Sequence, residues 1–473
     1  MKHNKIILLL ILLAFIDGTG VTAQPLPGAP KNIIIMIGDG MGYNQVQSAN
    51  LYHHGTFNAQ QYEQFPVSLF VSTYPARFGT SDDPAEWSSE YNAAQAWTDF
   101  DYVKSGYTDS APAATSMATG KKTYSRAIGM DLDFQPIETL CEFAKSLGKS
   151  AGVVSSVQLS HATPAGFAAH SKHRNRYEEI ARAMFIESEL DVIMGCGNPD
   201  YDNSGQPVED DKEYKYVGGE ETWLAVTSGK TTFPVATDGG MTMLQDSDGE
   251  GTPDAWHFID AKQEFEQLRT GDTPARVLGI PRVHKTLQQS RGEGEGREDA
   301  YAVPLNEGVP ALAAMVEGAL NVLDNDADGL FLMIEGGAID WAGHANQPGR
   351  LIEEQQAFND AVDAVIDWIE RNGGWEENLL IITADHETGY LTGPKERDNS
   401  PVSNPLVSTG KESMPEMRFN SDGHTNQLVP LYAKGAGSGY FNMFADEHDP
   451  VHGYYVNNTE IAQVAFMLWG RNY

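Results

Sequence analysis

Asp39 stands at the centre of the glycine loop that ends "KNIIIMIGDGMG", residues 31–42. A glycine loop at the end of a buried strand usually turns backbone N–H groups towards anions. A carboxylate in such a cradle would repel a phosphate unless cations stood between them. Three further loops supply matching groups. "MIEGGAIDWAGHAN" offers Glu335, Asp340 and His344, "TADHETG" offers Asp385 and His386, and "DGHTNQLVP" adds His424. Asp340 and His344 are spaced i, i+4 and share a face if that turn is helical. Imidazole and carboxylate without cysteine suit zinc in a site with an open position. Glu335, Asp39 and the Thr163 hydroxyl are harder oxygen ligands, better suited to magnesium.

A hydroxyl completes the set. In "YTDSAPAATSMATGKK" the Asp109-Ser110 pair reads as a helix start with proline in the first turn. The ordinary role of Ser110 there is an N-cap, but at the positive end of a helix it is also placed to attack an anionic substrate. The segment lacks the Gly-x-Ser-x-Gly elbow. A nucleophilic Ser110 would therefore be activated by something other than a histidine triad.

These loops need a frame. Five apolar runs, "NIIIMIGDG", "SAGVVSSVQLSHATP", "LDVIMGCG", "GLFLMIEGG" and "NLLIITADHE", have the near-continuous apolarity of strands buried on both faces. Helical patterns lie between them at 137–147, 175–187, 310–323 and 351–371. The alternation predicts an α/β fold, a three-layer α/β/α sandwich around a large, mostly parallel sheet, with functional loops beyond the carboxyl ends of the strands. Two stretches break the rhythm: a Gly-, Asp-, Glu- and Lys-rich insertion at about 198–299, and an irregular stretch at about 394–422. Residues 1–23 read as a signal peptide, with Lys2 and Lys5 before an apolar run too short to span a bilayer. Residues 24–473 then form one catalytic domain, expected in the periplasm or secreted, with no membrane span.

The formal net charge of −34 argues against nucleic acid as a partner. Bound metal ions would reverse that field locally and still admit an anion. The two cysteines, Cys141 and Cys196, give no disulfide framework, and a bridge and two buried thiols both stay open.

With these blocks in hand, the chain resembles an alkaline phosphatase. The resemblance rests on Gly38-Asp39-Gly40-Met41-Gly42, Thr108-Asp109-Ser110-Ala111, His161-Ala162-Thr163-Pro164, Glu335-Gly336-Gly337 with Asp340 and His344, Thr383-Ala384-Asp385-His386, and Gly423-His424-Thr425. They run in the family's order. The resemblance implies a homodimeric phosphomonoesterase with two Zn2+ and one Mg2+ per chain, acting through a phosphoserine at Ser110. It implies one zinc held by Asp340, His344 and His424 and the other by Asp39, Asp385 and His386, with Ser110 as an added ligand. Magnesium would take Asp39, Thr163 and Glu335, with His161 beside it. Arg174 in "HSKHRNRYEEI" corresponds to the family's phosphate-binding arginine, with Lys172, His173 and Arg176 as competing cations. His161 and Trp341 stand where the enteric bacterial version has aspartate and lysine, which bears on magnesium affinity and pH optimum.

Other signals carry less. "DNDADGLFLMIE" matches calcium-loop spacing from Asp324 to Glu335, but its last part reads as a buried strand, so residues 324–329 are expected to be a helix-to-strand loop. Acidic runs at 246–254 and 200–205 could hold a structural Ca2+ or be ordinary Asx turns. A sulfatase would need a Cys-x-Pro-x-Arg motif, which is absent, and a diesterase of this superfamily generally has threonine as nucleophile. An inert binding protein would not need the Asp-Ser-Ala block.

Overall fold

A computed structural model describes residues 25–81, 83–234, 241–244, 246, 251–292, 296–394 and 404–471. The expected leader at 1–23 lies outside the described residues, as do residues 395–403 of the second irregular stretch. The strands β1 (Asn32–Gly38), β2 (Val67–Ser72), β3 (Ser150–Gln158), β4 (Val192–Cys196), β5 (His257–Ile259), β6 (Val277–Gly279), β7 (Leu330–Gly336), β8 (Asn378–Ala384), β9 (Val429–Gly435), β10 (Glu447–Asp449) and β11 (Gly453–Asn457) form one 11-stranded sheet. Its order is β10-β11-β2-β9-β8-β1-β7-β3-β4-β6-β5. From β8 to β5 every neighbouring pair is parallel. β9 runs against both β8 and β2, and β10 against β11.

All five apolar runs are strands of this sheet. Their residues are buried throughout, as in Ile33–Ile37 at 0% exposure, because helices cover both faces. On one side α2 (Ser110–Thr119), α3 (Leu140–Ser146), α4 (Ala162–Ala168) and α8 (Thr459–Leu468) pack together. On the other, α7 (Pro348–Arg371) packs against α1 (Tyr43–His54), α5 (Leu312–Leu323) and α6 (Ala338–His344). This is the expected three-layer α/β sandwich. The helix predicted over 175–187 runs from Tyr177 to Glu187, α-helical to Arg182 and then widened to a π-helical turn, Ala183–Glu187, where the N–H of Ser188 reaches the Ala183 carbonyl.

The insertion is more than loops. It supplies β5 and β6, which extend the sheet beyond β4, and it buries Trp256 and Phe265 in the main core. Residues 324–329 do form a loop from α5 into β7, with Asp326 accepting the N–H of Asp328 at 2.8 Å. Both cysteines are buried free thiols, Cys141 in α3 and Cys196 at the end of β4, which settles the open alternative. Among the described residues no helix is long and apolar enough to cross a membrane.

Candidate active site and metal centre

The site lies beyond the carboxyl ends of three adjacent parallel strands. Gly38 of β1 pairs with Gly336 of β7 and Ala384 of β8, so Asp39 and Asp385 emerge side by side with Glu335 one step below. Gly40 has φ +74°, and a Cβ there would lie 2.7 Å from Asp340 Cα, so only glycine fits. Its N–H donates to Asp385 Oδ1 at 3.1 Å. The glycine loop thus cradles a carboxylate of the site itself. In α6, Asp340 and His344 do share a face, with Oδ1 to Nε2 at 3.3 Å.

Two groups of ligand atoms result. His424 Nε2 lies 3.4 Å from Asp340 Oδ1 and 3.0 Å from His344 Nε2. Each ring is held from behind at Nδ1, His424 by the Thr108 carbonyl at 2.8 Å and His344 by the Asp422 carbonyl at 2.5 Å. That leaves both Nε2 atoms turned inward, as a metal ligand requires. In the second group His386 Nε2 lies 3.1 Å from Asp385 Oδ2, 3.6 Å from Asp39 Oδ1 and 3.3 Å from Ser110 Oγ. A serine triad would place the acid on the other ring nitrogen. Here serine and both acids converge on one nitrogen, the arrangement of ligands around an ion.

The serine's position corrects its ordinary reading. Asp109, not Ser110, is the N-cap of α2, its Oδ1 accepting the N–H of Ala111 at 3.0 Å. Ser110 is the first helical residue, and its hydroxyl faces His386. Arg174 Nη1 donates to the same Asp109 oxygen at 3.1 Å, which ties the guanidinium to the residue before Ser110. Its rivals point elsewhere: Arg176 pairs with Glu179 in solvent, and Lys172 lies over the Phe134 ring. His161 is stacked on Tyr177 and lies 5.5 Å from the Trp341 ring.

The electrostatics call for cations. Four carboxylates, Asp39, Glu335, Asp340 and Asp385, are buried together. Burial and then the charges of Asp385, Asp340 and Glu335 raise Asp39 well above the carboxylate range, against Arg174. Burial pushes Glu335 up to about 7 despite a hydrogen bond from Ser155. Burial would raise Asp340 too, but the hydrogen bond and charge of His424, with His344 and His386, hold it well below its usual range. Burial opposes His424 protonation, yet Asp340 raises its pKa overall. Burial, then Arg174, pushes His161 down to about 3 and keeps it neutral. Asp39 Oδ1 is buried without a hydrogen bond, and Asp385 Oδ2, Glu335 Oε1 and Thr163 Oγ1 have no partner outside the cluster itself. Leaving such acceptors bare costs about 1–3 kcal/mol each. The donor set therefore fits metal ions, with imidazole and carboxylate suited to zinc and the Asp39, Thr163 and Glu335 oxygens to magnesium.

Among the described residues, ligand atoms gather in threes as Asp340-His386-His424 and Asp39-Asp385-His386, and the more exposed His344 joins the first through Asp340 and His424. Of the two readings open for 200–205, the structure shows the Asx turn. Asp202 Oδ1 accepts the N–H groups of Ser204 and Gln206, and Asp200 pairs with Lys212. Of the run at 246–254, residues 247–250 lie outside the described residues, and Asp246 caps the N–H of Gly251.

Three supporting residues escape sequence reasoning. Thr388 Oγ1 donates to Asp340 Oδ1 at 2.5 Å and lies 3.3 Å from His386 Nδ1, touching a ligand of each group. The i, i+2 spacing from His386 was the available signal, since it places both on one side of an extended chain. Ser155 donates to Glu335, its register partner across β3 and β7. Glu387 is buried and accepts from Gln45, Thr425 and the N–H groups of Tyr390 and Leu391, tying the Asp385-His386 loop to α1 and to the His424 loop.

A family model described as alkaline phosphatase matches residues 30–418. Alkaline phosphatase H of Pseudomonas aeruginosa is 30% identical, over 89% of this chain and 83% of that one. Alkaline phosphatase 3 of Bacillus subtilis is 28% identical over 76% of this chain, and the match spans 61% of that protein's length. The fold is similar to that of alkaline phosphatase from the Antarctic bacterium TAB5, with a TM-score of 0.61, 23% identity, and coverage of 94% of this chain and 99% of that one.

Proposed function

Because the chain belongs to the alkaline phosphatase family, we propose that it hydrolyses phosphate monoesters through a phosphoserine formed on Ser110, at a centre of two zinc ions and one magnesium ion. The observation that carries this reading is the convergence of Ser110 Oγ, Asp39 and Asp385 on His386 Nε2, with Arg174 anchored alongside by Asp109. Asp340, His344 and His424 would hold one zinc, and Asp39, Asp385 and His386 the other. Asp39, Thr163 and Glu335 would hold magnesium, with His161 beside it. When bound, these ions supply Lewis acidity and neutralise charge on the phosphoryl and leaving oxygens.

The chain's own groups do the rest. Arg174 grips two non-bridging oxygens in a bidentate fork and sets the orientation of the phosphoryl group. Ser110 Oγ, at the positive end of α2, attacks phosphorus in line as the ester bond breaks, and water then hydrolyses the phosphoserine. Positioning and charge neutralisation provide most of the catalysis in phosphoryl transfer. Neutral His161 and Trp341 leave Arg174 as the side-chain cation at the phosphate. Residues 1–23 support export to the periplasm or medium.

Stereochemistry tests the reading. Two displacements give net retention with a chiral phosphate monoester, and acid quenching leaves phosphate on a peptide containing Ser110. Ser110→Ala should remove that label and most activity. Inversion with an unlabelled Ser110 peptide would refute the covalent route even if phosphatase activity were found.

A further inference from the structure

Two adjacent acids of α7, Glu353 and Glu354, are buried at 6% and 4% exposure. Carboxylates are seldom buried without partners, and the first has its full set. Glu353 Oε2 takes Arg291 Nη1 at 2.8 Å and Arg350 Nη1 at 3.2 Å, while its Oε1 accepts the Tyr301 N–H at 2.6 Å. Both guanidiniums are also engaged by carbonyls, Arg291 by those of Gln288, Val303 and Pro304 and Arg350 by that of Arg291. Glu354 has a backbone hydrogen bond from Gln289 and no ion pair among the described residues, and its Oε1 is buried without a partner. Burial and the Glu353 charge raise its pKa to about 7, against Arg291 and Arg350.

Glu354 lines a cavity of about 330 Å³ bounded by α7, the start of α5 and the insertion with the segment that follows it. Most of the wall is hydrocarbon, from Leu287, Leu305, Val309, Pro310 and Leu312. A second bare acceptor lines it as well: Gln356 donates Nε2 to Asp360 at 2.7 Å, and its Oε1 is buried without a partner. The one lysine of the wall, Lys262, is drawn to the Glu307 carbonyl at 2.9 Å. The cavity therefore offers bare acceptors, one of them acidic, within an apolar wall. A metal ion takes about six oxygen ligands, whereas a cation carried on a hydrocarbon body matches both parts of this wall.

We propose that this cavity binds a small primary amine, its ammonium hydrogen-bonded to Glu354 Oε1 and its hydrocarbon body packed against Leu305 and Val309. An ammonium has three donors and no acceptor, so it fits a bare carboxylate oxygen and brings the positive charge that Glu354 lacks. An anion would meet Glu353, Glu354 and Asp360 instead, and a neutral hydrocarbon would leave the Glu354 oxygen bare. No residue of the wall belongs to the metal and phosphate site described above, so the inference stands apart from the phosphatase reading.

The test is calorimetric titration of phenethylamine into the metal-loaded full chain at about pH 8, where Glu354 is mostly ionised, beside Glu354→Gln and Leu305→Trp. Glu354→Gln keeps the shape and removes the charge. It should weaken phenethylamine about tenfold, the worth of one charge-assisted hydrogen bond, and its Tm should stay level or rise because a buried unpaired charge is gone. Leu305 is 46% exposed, so the fold tolerates tryptophan there, and the larger ring should fill the cavity and abolish saturable binding. Phenylethanol, with a hydroxyl in place of the ammonium, should bind weakly and equally to wild type and Glu354→Gln. Equal phenethylamine affinity in wild type and Glu354→Gln, or no saturable binding to the wild type, overturns the site. So does calcium binding that Glu354→Gln removes, since Glu354 would then be a metal ligand.

Discussion

Removing one hydroxyl, in Thr388→Val, should weaken zinc binding without touching a ligand. Thr388 is fully buried, and its Oγ1 lies 2.5 Å from Asp340 Oδ1, the atom that also faces His344 and His424 at 3.3 and 3.4 Å. A hydrogen bond to a charged group contributes about 1.5–3 kcal/mol. At about 1.4 kcal/mol per decade, this is roughly 10- to 100-fold in affinity, the range found for groups that orient metal ligands. Valine preserves shape, so packing is nearly unchanged and the loss should appear in metal binding. Zinc affinity would be measured by competition with a chelator, alongside the Tm of the metal-free protein. Thr388→Ser restores the donor and should recover most of the affinity. A folded Thr388→Val protein with zinc affinity within twofold of wild type would refute the claim that this bond orients Asp340.

Metal-free protein should lose stability as pH rises from about 4.5 to 7. Glu335 is pushed up to about 7 in the fold, so the native state holds a proton that the unfolded chain releases, worth on the order of 2–4 kcal/mol. Asp39 acts in the same direction, and Glu335→Gln should flatten part of the slope in pH-dependent Tm scans; an unchanged slope would count against it. Arg174→Ala should raise the inhibition constant for inorganic phosphate while leaving measurable turnover, and Asp109→Ala should do likewise and also cost about 1 kcal/mol for the lost cap. An unchanged phosphate constant in Arg174→Ala would assign the grip to another cation. With both cysteines free and buried, the Tm should be the same with and without reductant, and a fall under reduction would reveal a disulfide.

Much of this site was legible in the sequence because local periodicity and turn chemistry encode it. Continuous apolar runs identified β1, β3, β4, β7 and β8, and in a parallel sheet the polar loops after such strands must gather at one edge. The i, i+4 spacing placed Asp340 and His344 together before any tertiary contact was known. Other features depend on partners remote in the chain. Ser155 meets Glu335 through strand register, Glu387 collects donors from three segments, and Thr388 reaches Asp340 from a different loop. That Arg174 rather than Arg176 is anchored at the site follows from a contact 65 residues apart in sequence, and Ser110 faces His386 across 276 residues. A sequence specifies which residues a strand or loop carries, whereas burial and hydrogen-bond partners are set only when the sheet closes and brings those loops together.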